Sequence, residues 1–246
     1  MIKAVTFDCW GTLFLDSPAA DEGYRRQRLQ AIETVLATSG VMVSGRQLDR
    51  AYATASERIA RIWQGFRDLP VDGHVTALLE ALDPELPRRL SRAALARLVD
   101  AYAQPALRVP PAVDAGAAPA LELLAGRGVA LAVVSNIMRT PGDVLKLVLD
   151  RAGVLAPFKV LTFSDECGIR KPDPEIFRLT LRQLGVSPED AVHVGDDPIL
   201  DVEGARDAGM RAVQLSTTGR ATGAVKPDAV VTGLVDLPAL FARAGW

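Results

Sequence analysis

The chain opens with a short apolar run, Ala4-Val5-Thr6-Phe7, that ends in Asp8 and turns at Gly11, and no second strand pattern follows until Val129. A solitary strand leaves a row of backbone donors and acceptors unpaired, so this one must pair with strands far along the chain. Everything between is then an insertion, and its pattern is helical. Leu29, Ile32 and Leu36 form one apolar stripe, and Leu48, Tyr52, Ala55, Ile59, Ile62 and Phe66 form a longer one. Val75, Leu78, Leu79 and Leu82, then Leu95, Leu98, Val99 and Tyr102, complete a set read as four helices. Breaks are expected at 39–40, 70–73 and 84–87, where Gly, Pro and Asp gather.

Residues 105–119, rich in Pro, Ala and Gly, read as a linker, after which strand and helix patterns alternate. The apolar run 129–134 is bounded by Gly128 and Ser135-Asn136 and reads as a buried parallel strand. Further strands are expected at 159–163, 191–194 and 212–215, with a short edge strand at 230–231. Helices are expected at 118–125, 142–152, 174–184 and 202–208. Alternation of this kind builds βαβ units. The fold class is therefore α/β, a Rossmann-like, mostly parallel sheet core with an inserted α-helical domain. The core is assigned to 1–14 and 112–246, and the insertion to 15–111.

Composition excludes several functions. Twenty-eight basic against thirty acidic side chains give a net charge of −2, which favours neither nucleic acid nor an anionic membrane surface as partner. No apolar run approaches a membrane span, and the N-terminus reads as a strand rather than a leader, so the expected location is cytoplasmic. Cys9 and Cys167 make no disulfide framework and have no metal-ligand spacing. Oligomeric state is not legible.

Each main strand ends in polar residues. Asp8 and Thr12 follow the first, Ser135 and Asn136 the second, and Lys171 comes after the third within Gly168-Ile169-Arg170-Lys171-Pro172-Asp173-Pro174. Gly195-Asp196-Asp197-Pro198-Ile199-Leu200-Asp201 follows the fourth. Parallel strands share one C-terminal edge, so these groups should meet in one crevice. In this order they resemble the four motifs of the haloacid dehalogenase-like hydrolase superfamily, and the helices inserted directly after the first are similar to that superfamily's helical cap.

The chemistry of each group can be argued separately. Asp8 is the candidate nucleophile, because a carboxylate that forms a covalent intermediate splits one difficult displacement into two easier ones. Thr12 and Ser135 offer hydroxyl donors and Lys171 a positive charge to an anionic group in transfer, with Asn136 beside them. Asp196, Asp197 and Asp201 form an acidic cluster whose repulsion a hard cation relieves, which points to Mg²⁺ as cofactor. The resemblance implies Asp8, the Trp10 backbone carbonyl and Asp196 as its ligands, with Asp197 and Asp201 near or on the ion. His193 reads as a core histidine.

One position departs from the pattern. The superfamily's phosphatases carry a second Asp two residues after the nucleophile, and here that residue is Trp10. Indole can neither protonate a leaving group nor activate water, which removes an effect worth ~10²–10⁴-fold. The superfamily's 2-haloacid dehalogenases carry an aromatic residue there and use no metal, but they lack the full acidic cluster, and their tyrosine six residues after the lysine is Phe177 here. Its phosphonate hydrolases use a cap lysine, and no lysine lies between Leu13 and Gly126. The preferred reading is a Mg²⁺-dependent phosphatase that acts on a small phosphorylated metabolite through an aspartyl-phosphate. The alternatives are a metal-independent dehalogenase and a non-catalytic binding protein. Selectivity should come from the cap, hinged near 16–20 and 106–115. Arg25, Arg26, Arg28, Arg58 and Arg61, with Tyr24, Trp63 and Phe66, are the residues able to face the mouth.

Overall fold

A computed structural model describes residues 1–15 and 18–246. Six strands form one sheet: β1 (Ala4–Phe7), β2 (Ala130–Ser135), β3 (Phe158–Phe163), β4 (Ala191–Gly195), β5 (Arg211–Leu215) and β6 (Ala229–Val231). Their order is β3-β2-β1-β4-β5-β6, and every pairing is parallel. The opening strand is therefore central, with Ala4 opposite Ala130 on one side and Ala191 on the other. β1, β2 and β4 are buried along their whole lengths, as strands covered on both faces must be. The chain steps outward from β1 to β2 and β3, then returns to the other side of β1 for β4. That reversal opens a crevice at the C-terminal ends of β1 and β4.

Helices α1 (Pro18–Thr38), α2 (Gly45–Gln64), α3 (Val71–Leu82), α4 (Leu86–Arg89), α5 (Arg92–Ala103) and α6 (Pro105–Arg108) come between β1 and β2, followed by α7 (Ala117–Gly126). The remainder are α8 (Gly142–Arg151), α9 (Ser164–Cys167), α10 (Pro174–Leu184), α11 (Gly204–Asp207) and α12 (Leu237–Ala244). One sheet face packs Val5 and Phe7 with Leu121, Leu145 and Phe241 from α7, α8 and α12. The other packs Ala4 and Val134 with Ile176, Phe177 and Ala205 from α10 and α11. The period-2 alternation of strand side chains divides β1 between these two layers. Ile32, Leu36, Leu48, Leu78, Leu98 and Tyr102 build a separate apolar cluster within the inserted helices.

Local chemistry explains most boundaries. Ser44 and Gln47 form a capping box at the start of α2, and Asp173 caps α10 ahead of Pro174. Several expectations need revising. The 70–73 break is only Pro70 as N-cap, because Val71 already begins α3. Part of the expected linker, Pro105–Arg108, is one more helical turn with its proline at the start, where the missing N–H costs nothing. Where a single helix 202–208 was expected, a π-helical turn at Pro198–Glu203 runs into α11. Of the expected hinges, Asp16 and Ser17 lie outside the described residues. The flanking backbone is paired: Leu15 N–H donates to the Ala112 carbonyl at 2.8 Å, and Asp114 N–H to that of Leu13 at 3.0 Å.

Candidate active site

β1 delivers Asp8 to the crevice, where its N–H donates to the Val194 carbonyl of β4 at 3.0 Å. The chain then turns at Gly11, whose φ is +74°. A Cβ on Gly11 would stand 2.5 Å from an oxygen of Asp196, so only glycine lets this backbone lie against that carboxylate. Lys171 is buried, with Nζ 2.7 Å from Asp8 Oδ1 and 2.6 Å from Asp201 Oδ1. Asn136 fixes the lysine backbone from both sides, donating to the Lys171 carbonyl at 3.0 Å and accepting from its N–H at 2.8 Å. Asp201 is held in turn by His193 Nε2 at 3.0 Å and by the Asp197 N–H at 3.0 Å. The other ring nitrogen of His193 meets the Thr6 hydroxyl at 2.7 Å. A continuous chain of contacts thus runs from β1 through β4 and the motif after it back to the carboxylate at the end of β1.

One oxygen from each of Asp8, Asp196 and Asp201 lies within 4.8 Å of the others. Against those carboxylates stands one ammonium, so the ionised cluster is left two charges negative, the amount a divalent cation cancels. Burial first, then Asp201 and Asp8, push the Asp196 carboxyl up to about 7. Burial also raises Asp8, opposed by Lys171 and by the Ser135 hydroxyl, which favour its ionised form. Burial disfavours the Lys171 charge as well, but Asp201 and Asp8 outweigh it and hold the ammonium well above its usual range. The same contact, with help from His193, keeps Asp201 ionised far below the usual carboxylate range in spite of its burial. Hard oxygen donors with surplus negative charge fit Mg²⁺.

A family model for haloacid dehalogenase-like hydrolases matches residues 2–209, most of the chain and every motif just described. The chain belongs to the haloacid dehalogenase-like hydrolase family. It is similar to glyceraldehyde 3-phosphate phosphatase of Methanopyrus kandleri, 31% identical over 87% of this chain and 84% of that one. It is also similar to phosphoserine phosphatase of Thermus thermophilus, 47% identical over 35% of this chain but only 34% of that protein's length. Among solved structures, 2-haloacid dehalogenase from Pseudomonas syringae pv. Tomato DC3000 superposes with a TM-score of 0.75 at 27% identity, covering 99% and 100% of the two chains.

In this hydrolase, Asp8, Asn136, Lys171, Asp196 and Asp197 all line one cavity of about 610 Å³. Asp201 lies buried behind them. Asp197 stands apart from the carboxylate cluster, because its Oδ1 caps the π-helical turn, accepting from the N–H groups of Ile199 and Leu200 at 2.8 Å each. The Thr12 hydroxyl is buried without a hydrogen-bond partner among the described residues, and so is the indole N–H of Trp10, which also lines the cavity. His193 is a fully buried, bonded histidine, as expected.

The inserted helices contribute Tyr24, Arg25, Arg28 and Tyr52 to the cavity wall. Arg58 is tied to Glu80 on an exposed face instead, and Trp63 donates its Nε1–H to Asp68 at 2.8 Å. Sequence reasoning named three participants nowhere as site residues. Arg139 and Tyr52 line the cavity. Asp68, on the loop before α3, forms a buried ion pair with Arg170 at 2.6 Å and accepts the Ser164 hydroxyl at 2.5 Å. Asp68 sits in a polar loop and Tyr52 within an apolar stripe, so neither stands out until the two layers are brought together. Arg139, directly after a motif, was the one open to suspicion.

Proposed function

We propose that this hydrolase is a Mg²⁺-dependent phosphatase of small phosphorylated metabolites, with 1–14 and 112–246 as its core and 15–111 as a cap domain over the site. The observation that carries this reading is the Asp8, Asp196 and Asp201 cluster held around a single ammonium, Lys171. A metal-independent displacement at carbon has no use for the extra negative charge of Asp196.

In this mechanism an oxygen of Asp8 attacks phosphorus, the bond from phosphorus to the ester oxygen breaks, and that oxygen leaves and takes up a proton. Water then attacks the aspartyl-phosphate, phosphate departs and Asp8 is regenerated. Lys171 and the Ser135 and Thr12 hydroxyls face the charge that gathers on the phosphoryl oxygens. Asp8, Asp196 and the Trp10 backbone carbonyl would hold Mg²⁺, with Asp201 in support. When bound, the ion stabilises the developing negative charge. Trp10 cannot supply the leaving-group proton, so water or a carboxylate of α1 must do so. Asp21 and Glu22 both line the cavity.

Hydrolysis of p-nitrophenyl phosphate tests this reading. The parent should turn over only with Mg²⁺, and Asp8→Asn should abolish turnover; activity that survives in that variant, or in excess chelator, contradicts the mechanism. The dehalogenase reading has support of its own in Trp10 and in the dehalogenase that superposes over the whole chain. It requires halide release from 2-chloropropionate in chelator.

A further inference from the structure

We infer that Arg139 is a specificity residue that receives a carboxylate on the organic part of the substrate, so that the ester hydrolysed is a phosphorylated carboxylic acid. This rests on the phosphatase reading and deepens it. Arg139 lies in the loop between β2 and α8, four residues beyond Ser135, and its guanidinium reaches across the crevice to α2. Nη2 donates to the Ser56 hydroxyl at 2.9 Å, and the guanidinium carbon stands 5.6 Å from the Tyr52 ring centroid and 5.2 Å from that of Trp63. Two aromatic rings and a hydroxyl thus fix the fork before any ligand arrives, which reduces the ordering cost of binding.

Nη1 is buried and has no hydrogen-bond partner among the described residues. The Tyr102 hydroxyl, 3.4 Å from His74 Nδ1, also lies beside the Arg139 guanidinium, whose charge and side-chain contact oppose the rise that burial gives its pKa. Neighbouring guanidiniums are matched by carboxylates, Arg170 by Asp68 at 2.6 Å and Arg25 by Asp49 at 2.6 Å. Arg139 forms no ion pair among the described residues. Nor does buried Arg28 on the same cavity wall, which bonds the Tyr102 carbonyl at 2.7 Å. Unmatched cations with unpaired buried donors are costly unless a ligand completes them.

Arg139 shares its cavity with Asp8 and Lys171, and about 610 Å³ leaves room for an organic group beyond the phosphate. One feature favours a carboxylate over a second phosphate: Asp21 and Glu22 also line the cavity, so a dianion there is repelled more than a monoanion.

Calorimetric binding of phosphonates in the presence of Mg²⁺ tests the assignment without turnover. Phosphonoacetate should bind the parent about tenfold or more tighter than ethylphosphonate, the difference a charge-assisted hydrogen bond supplies. Arg139→Gln should weaken phosphonoacetate about tenfold more than ethylphosphonate, and Arg139→Lys should retain part of the discrimination. Equal affinities in the parent overturn the inference, as does an equal loss for both ligands in Arg139→Gln, which marks a structural strut. Preference for methylenediphosphonate over phosphonoacetate replaces the carboxylate with a second phosphate and contradicts the class named here. If no phosphonate binds, the phosphate-binding reading of the core fails first. The comparison within the parent stands even if a variant does not fold.

Discussion

In the proposed mechanism, an indole two residues beyond Asp8 leaves the departing alkoxide without a neighbouring acid, since Trp10 offers one weak N–H donor and no titratable group. The same turn is otherwise complete: Gly11 takes the left-handed conformation that lets the backbone lie against Asp196, and Lys171 bridges Asp8 to Asp201. Trp10→Asp should therefore raise kcat on alkyl phosphates by about 100-fold, within the usual range for general acid catalysis, and should do less for p-nitrophenyl phosphate, whose leaving group needs no proton. Steady-state kinetics on the two substrate types measure the contrast. No gain on either would place the acid elsewhere in the cavity. At this scale much was legible in the sequence, because a residue at a strand end has its position fixed by the strand. Asp8, Ser135, Asn136 and Asp196 follow that logic directly, whereas Lys171 and Asp201 lie several residues beyond their strands and were grouped with them through the motifs they belong to. Asp197 was grouped with them because adjacency cannot distinguish a carboxylate that faces the crevice from one that caps the next turn.

Elements were legible in proportion to how strongly their apolar pattern was committed. All six strands fall where continuous apolar runs placed them, to within a residue at most ends. The helices that escaped notice are short ones, such as α9, or follow weak patterns, as does α12. α9 nevertheless organises the edge of the site. Its first residue, Ser164, donates to Asp68 and accepts from the Ile137 N–H at 2.9 Å, and its second, Asp165, accepts from the Gly142 N–H at the start of α8 at 3.2 Å. Burial above all raises the Asp165 carboxyl from 3.8 to about 6. The folded chain thus keeps this proton to higher pH than the unfolded chain, and stability falls as pH rises through that window. Asp165→Asn should accordingly match the parent near pH 4 and exceed it above pH 6 by on the order of 1 kcal/mol, the shift being discounted for solvent screening of a half-buried group. Chemical denaturation across pH 4 to 8 reads the difference, and a variant less stable than the parent at pH 8 would contradict the assigned cause.

Across the whole molecule, the cavity is lined both by inserted helices and by loops at the sheet edge, and the two crossings of the chain between them are hydrogen-bonded to each other at Leu15–Ala112 and Asp114–Leu13. Beyond this seam the inserted helices meet the core through several polar contacts, an Arg67–Asp173 ion pair at 3.0 Å among them. Asp68 pairs with Arg170, the Asp68 N–H donates to the Gly168 carbonyl at 3.1 Å, and Arg139 reaches Ser56. Breaking a buried ion pair by removing one partner costs about 3–5 kcal/mol, so Asp68 holds the layers in register at one edge of the cavity. The insertion itself could be read from a first strand that had no early partner. Its docking could not, because Asp68 and Arg170 are far apart in sequence and neither belongs to an apolar pattern. The central claim is that Asp8 becomes covalently phosphorylated during turnover. Rapid acid quench of the parent with a phosphate ester and Mg²⁺, followed by mass analysis of the peptide containing Asp8, tests it directly. The account predicts a fraction of that peptide heavier by one phosphoryl group, lost in Asp8→Asn and on omission of Mg²⁺. Phosphate release at full rate with no modified peptide at any quench time would contradict it.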